Sequence, residues 1–96
     1  MTPRAMLDLI ERYEANFAAA NVPKIRINPA RTFQSLSVPE ILAHAHHICD
    51  GVKEYAKDPE RIGKANSHLT VVQMCLSFAG WHTLQELLEH NTPPND

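Results

Sequence analysis

Histidines and one short basic run are the residues of this chain whose types and spacing could do chemistry. In His44-Ala45-His46-His47, followed by Cys49, the first and last histidines lie three apart. On a helix that is one face and the spacing of two metal ligands, with His68 available from a neighbouring helix. No HExxH pattern and no carboxylate at ligand spacing accompanies them, so the expected role is structural and no metal or other cofactor is assigned. The basic run is Lys24-Ile25-Arg26-Ile27, with Arg31 and Thr32 close behind. On an extended backbone the two cations would point to one side and the two isoleucines to the other. An arginine can hold two phosphate oxygens through parallel N–H donors, so the segment reads as a phosphate grip, with Tyr13 as an aromatic ring able to stack on a base. The plainer alternative is a solvated connector whose isoleucines anchor it to the core.

Other chemistries find no support. Glycines occur only at 51, 63 and 80, too far apart for a phosphate-cradling loop, and there is no GxSxG elbow. Cys49 and Cys75 form no CxxC pattern and read as reduced, buried thiols of a reducing cytosol. Glu11 and Glu14 belong to a solvated helix face. No enzyme is expected. The net charge of −2 is unevenly distributed: no acid occurs between Glu14 and Glu40, whereas acids outnumber bases from Ser37 onward. Duplex nucleic acid would be repelled by most of this surface, while a small phosphorylated ligand could use one basic locus. The first residues, interrupted by Asp8, Glu11 and Glu14, have no signal-peptide pattern, and the apolar stretch from Leu69 to Trp81 falls short of the ~18 residues of a membrane span.

The elements that must position these groups are helices. Thr2-Pro3 is an N-cap with a first-turn proline, and Met6, Ile10, Tyr13, Phe17 and Ala20 recur at helical steps, predicting a helix over 3–20 that stops at Asn21. Pro23 and Pro29 make Val22 to Leu36 a long extended connection. Ser37 with Glu40 is a capping box for a second helix, with Ile41, Ala45, Ile48, Val52 and Tyr55 as its buried stripe, ending near Lys57. Asp58-Pro59 opens a third helix over about 60–79, which pairs antiparallel with the second through Ile62, Ala65, Leu69, Val72, Leu76 and Ala79. Gly80 ends it, and Thr83 with Glu86 caps a short last helix through Asn91. The expected fold is all-α, a compact bundle of three main helices plus a short C-terminal one, with a single domain over 1–92 and a flexible tail at 93–96. Val71, Met74, Cys75 and Phe78 add a second apolar stripe to the third helix. A chain of 96 residues cannot easily surround one helix, so this stripe predicts the seam of a homo-oligomer.

The runs NPARTF, LAHAHHICD, GKANSHLTVVQ and WHTLQELLEHN resemble a family of small tailed-phage and prophage proteins over roughly residues 23 to 92. That family is identified with the anti-CBASS sponges, helical hexamers that sequester cyclic oligonucleotide second messengers without cleaving them. The resemblance implies a cyclic oligonucleotide ligand, a cyclic dinucleotide first, bound between protomers in the cytoplasm of an infected bacterium. It implies that Tyr13 stacks on bases and that Arg26 holds phosphate, with Lys24 as alternative, Arg31 and Thr32 as neighbours and Trp81 as a further candidate whose plainer role is a core or interface anchor. Ser67 stands where the family pattern has an arginine before His-Leu, which weakens a second site for cyclic trinucleotides. His68 remains a ligand-binding candidate, though a mostly neutral ring lacks the arginine fork. The other functional expectation is a phage accessory protein that binds a host protein through the face of the second helix carrying His46 and Lys53.

Overall fold

Thr2 accepts a hydrogen bond from the Ala5 amide at 3.1 Å and starts α1 (Pro3–Ala19), the first element of a computed structural model that describes residues 1–92. The expected tail at 93–96 lies outside the described residues. Asn21 ends α1 in a left-handed conformation, φ 57°, with its N–H on Ala18 C=O and the Val22 N–H on Phe17 C=O. That pairing satisfies the last free carbonyls of the helix and turns the chain toward α2. The connector is extended apart from a turn at Pro29–Ala30 and a single 3₁₀ turn at Phe33–Ser35.

In α2 (Val38–Ala56) the capping box is complete: Glu40 N–H donates to Ser37 Oγ at 3.3 Å, and Ser37 N–H donates to Glu40 Oε1 at 3.0 Å. Asp58 accepts from the Glu60 amide and closes a tight 3₁₀ turn, Pro59–Arg61, so α3 (Ile62–Phe78) begins two residues later than the apolar pattern suggests. Gly80, at φ 80°, repeats the Asn21 device, with Trp81 N–H on Leu76 C=O. A second complete capping box, Thr83 with Glu86, opens α4 (Leu84–Asn91).

The short turn makes α2 and α3 an antiparallel pair, and α1 lies across them. Met6, Ile10, Tyr13 and Phe17 of α1 are fully buried against Ala45, Cys49 and Val52 of α2 and Ala65, Val72 and Leu76 of α3. Ala20 of the expected α1 stripe is exposed, and Ile48 and Tyr55 of the α2 stripe are only half-buried. The second stripe of α3 needs a correction. Cys75 is 1% exposed and belongs to the core; Val71 and Phe78 stay exposed and Met74 half-buried. Among the described residues no helix is long and apolar enough to cross a membrane.

Candidate functional site

The connector runs along α2 and is fastened to it at alternating points. His46 donates from Nδ1 to Val22 C=O at 2.8 Å, Ile25 N–H donates to Ala43 C=O at 3.1 Å, and Ile27 N–H donates to His44 Nδ1 at 3.3 Å. Asn28 then folds the chain back on itself, its side-chain oxygen taking the Ala30 N–H and its carbonyl the Arg31 N–H. Between this segment and α2 lies an open cleft of about 280 Å³, with Pro23, Ile25, Ile27, Pro39 and Ala43 as apolar walls and Arg26, Asn28 and Glu40 as its polar groups. The expected sidedness of the run is therefore not what holds it. Ile25 is 57% exposed and lines the cleft, so the anchoring falls to backbone amides and two imidazoles.

An acid-free stretch of sequence is not acid-free in space, because α2 brings carboxylates alongside it. Lys24 Nζ sits 2.9 Å from Asp50 and 3.6 Å from Glu14, and Lys53 bridges the same two acids at 2.9 Å from Glu14 and 3.4 Å from Asp50. The hydrogen bond to Asp50 raises the Lys24 pKa, and Lys24 in turn lowers that of Asp50. Arg31 pairs with Glu40 at 2.6 Å and also reaches the Ser35 carbonyl. The expectation of an unopposed basic segment is corrected to one open cation: among the described residues Arg26 makes no ion pair. Thr32 is exposed before the 3₁₀ turn, where its carbonyl accepts from Ser35 Oγ and its hydroxyl caps nothing.

Tyr13 is the largest correction. Its side chain is 1% exposed, so within this chain neither ring face is open to a base. The hydroxyl lies 2.7 Å from His90 Nδ1 and accepts from Gln73 Nε2 at 3.2 Å; the buried Gln73 also exchanges two bonds with Asn91, at 2.7 and 3.0 Å. This network ties α4 to α1 and α3. Leu87 is the one residue of α4 that is buried, and eight residues are too few for a stable isolated helix. Burial, followed by the nearby Arg12 and His82, holds the His90 pKa below its ordinary value. A depressed histidine leaves stability intact above its unfolded pKa of about 6.5 and loses it as pH falls through the folded value. Denaturant midpoints should fall from about pH 7.5 to about pH 5.5, and His90→Gln should lessen that fall; an equal fall in the variant would exclude His90 as a source.

The remaining candidates are spread over the surface. Trp81 is half-buried on Phe17, ring centroids 5.5 Å apart, and acts as an anchor for the turn after α3. His68 donates from Nδ1 to Lys64 C=O, packs edge-on to Tyr55 at 5.1 Å and covers Gly51, where a Cβ would come within 2.7 Å of its ring. It does not line the cleft. On α2, His46 stacks on Phe17 at 5.0 Å and Lys53 Nζ lies 2.9 Å from Glu14. Burial pushes the Cys49 thiol up to about 12 and that of Cys75 up to about 11, which leaves both protonated and non-nucleophilic near neutrality. His44 and His47 lie 6.2 Å apart between ring centroids, and among the described residues no group of three His, Cys, Asp or Glu side chains could hold a metal ion. The sequence did not single out Asn28 and Pro39 as walls of the cleft, nor His44 as the acceptor behind Ile27; Asn28-Pro29 is the available signal for the turn. Comparison with protein-family models, with curated proteins and with solved structures gave no match.

Proposed function

We propose that this chain captures a cyclic oligonucleotide, a cyclic dinucleotide first, and holds it without cleavage, so that in an infected bacterium it withdraws the messenger of CBASS antiphage signalling. The observation that carries the reading is Arg26: a cation in a half-apolar cleft, with no ion pair among the described residues, while Lys24 and Arg31 on either side are neutralised. A guanidinium so placed suits a phosphodiester, and the apolar walls suit a base or sugar. At about 280 Å³ the cleft sits at the lower edge of the ~300–1,000 Å³ usual for small-molecule sites. A cyclic dinucleotide would be only partly enclosed by one chain, which fits assembly as a homo-oligomer, a hexamer by resemblance, closing over the ligand. Val71 at 37% exposure and Phe78 at 56% supply apolar surface for such contacts. The reading no longer draws on Tyr13.

Calorimetry with cyclic dinucleotides tests it. Arg26→Ala should weaken binding by about 10- to 100-fold, the loss of a charge-assisted bond worth about 1.5–3 kcal/mol. Ligand recovered after denaturing the protein should be intact. No heat with a panel of cyclic di- and trinucleotides would sink the proposal, and light scattering with and without ligand reads the assembly.

A further inference from the structure

Ile27 N–H points at His44 Nδ1, 3.3 Å away. A backbone amide only donates, so this nitrogen is bare and the ring proton sits on Nε2. His46, two residues on, is held the opposite way: Val22 C=O only accepts, so its Nδ1 carries the proton. The two imidazoles grip the Val22–Ile27 run of the connector at its two ends with opposite polarity. Between them the Ile25 and Ile27 bonds bracket Arg26 on both sides.

We propose that neutral His44 is the positioning residue of the cleft: its bare Nδ1 fixes the backbone at Ile27, that bond presents Arg26, and the cleft accepts an anionic phosphodiester only while His44 is unprotonated. This rests on the reading of the Arg26 cleft given above. Protonation would set one N–H against another and break the bond. The His46 bond already has its proton on Nδ1, facing the Val22 carbonyl, so the bond that a proton on Nδ1 breaks is that of His44. The charged and titratable groups facing His44 are Arg26 from the connector and His47 from α2, with the Phe33 ring covering it at 6.0 Å between centroids. Its side chain is 8% exposed, and burial, then His47 and Arg26, all favour the neutral ring.

A histidine that served only as a nearby charge would attract an anion more strongly in acid. A positioning His44 makes binding weaker in acid.

The test uses the full chain, 3′,3′-cyclic GMP–AMP as probe, and two variants. His44→Asn offers an amide oxygen near the place of Nδ1 and does not titrate; His44→Leu keeps bulk and offers no acceptor. His44→Leu should speed Ile27 amide exchange and weaken probe binding, each by about tenfold, the scale of one lost hydrogen bond, while His44→Asn restores both. Wild-type affinity should hold near neutrality and fall as the pH drops below about 6.5, and that of His44→Asn should not. Ring ¹⁵N shifts showing the proton on Nδ1, unchanged Ile27 exchange in folded His44→Leu, or tighter wild-type binding in acid would each overturn the proposal. Should His44→Leu fail to fold, the ring shifts, His44→Asn and the wild-type titration decide. If wild type binds no cyclic dinucleotide, the proposed function fails, and Ile27 exchange with the ring shifts still judges the clamp.

Discussion

Replacing Tyr13 by alanine is expected to lower the free energy of unfolding by about 3–5 kcal/mol, and replacing it by phenylalanine by about 1–2 kcal/mol. The ring is fully enclosed among α1, α2 and α3, so alanine leaves a cavity that the surrounding helices cannot fill without moving. Phenylalanine fills the space but removes the hydroxyl that joins Gln73 to His90. Gln73 keeps its two bonds to Asn91, and half-buried His90 can turn to water, which is why the second cost is the smaller. Urea unfolding of both variants reads the difference. Because the lost hydroxyl links α4 to the rest, amide exchange in Leu84–Asn91 should quicken in Tyr13→Phe more than exchange in α2. A Tyr13→Ala protein as stable as wild type would mean that the ring is not in the core, and would reopen its role in stacking on a base.

Tyr13 also marks what could be read from sequence alone. Its spacing with Met6, Ile10 and Phe17 put it in the buried stripe, and the family resemblance put it on a ligand. Both cannot hold within one chain, and in the folded chain the helical period prevails. The helix boundaries were legible because their signals are local. Thr2, Ser37, Asp58 and Thr83 cap by bonds to residues two or three positions away, and Asn21 and Gly80 terminate by their own backbone conformation. Cys75 carries two readings, a buried thiol and a member of the oligomer seam, and within the chain the first holds, which the periodicity of α3 alone does not decide. The connector was legible as a connector but not as a surface. Its partners, Ala43, His44, His46 and Asp50, lie 17 or more positions away, and only the path of the chain around the end of α1 brings them together. Separation along the chain likewise hid the neutralisation of Lys24 and Arg31, so that only the family resemblance set Arg26 apart from its neighbours.

Phe17→Ala should be the most damaging single change, because Phe17 sits where three segments meet. Its side chain is completely buried, stacked on His46 of α2 at 5.0 Å and tilted against Trp81 after α3 at 5.5 Å, and its carbonyl takes the Val22 N–H that closes α1. The direct cost is about 3–5 kcal/mol for deleting a buried aromatic side chain. Against a total stability of about 5–15 kcal/mol for a domain this is a large share, and at about 4–8 °C per kcal/mol it corresponds to a fall in melting temperature of roughly 12–40 °C. The damage should not stop at the core. His46 loses the ring it lies on while it holds Val22 C=O, so the start of the connector should loosen before the α2–α3 pair does. Hydrogen exchange on folded Phe17→Ala would then show faster amides at Val22 and Ile25, which donate to Phe17 C=O and Ala43 C=O, with Val52 and Val72 still protected. Phe17→Leu, which retains most of the buried volume but not the aromatic stack, should recover more than half of the lost stability while leaving those connector amides fast. Uniform loss of protection across all four positions would mean that Phe17 supports the bundle as a whole and has no particular hold on the connector.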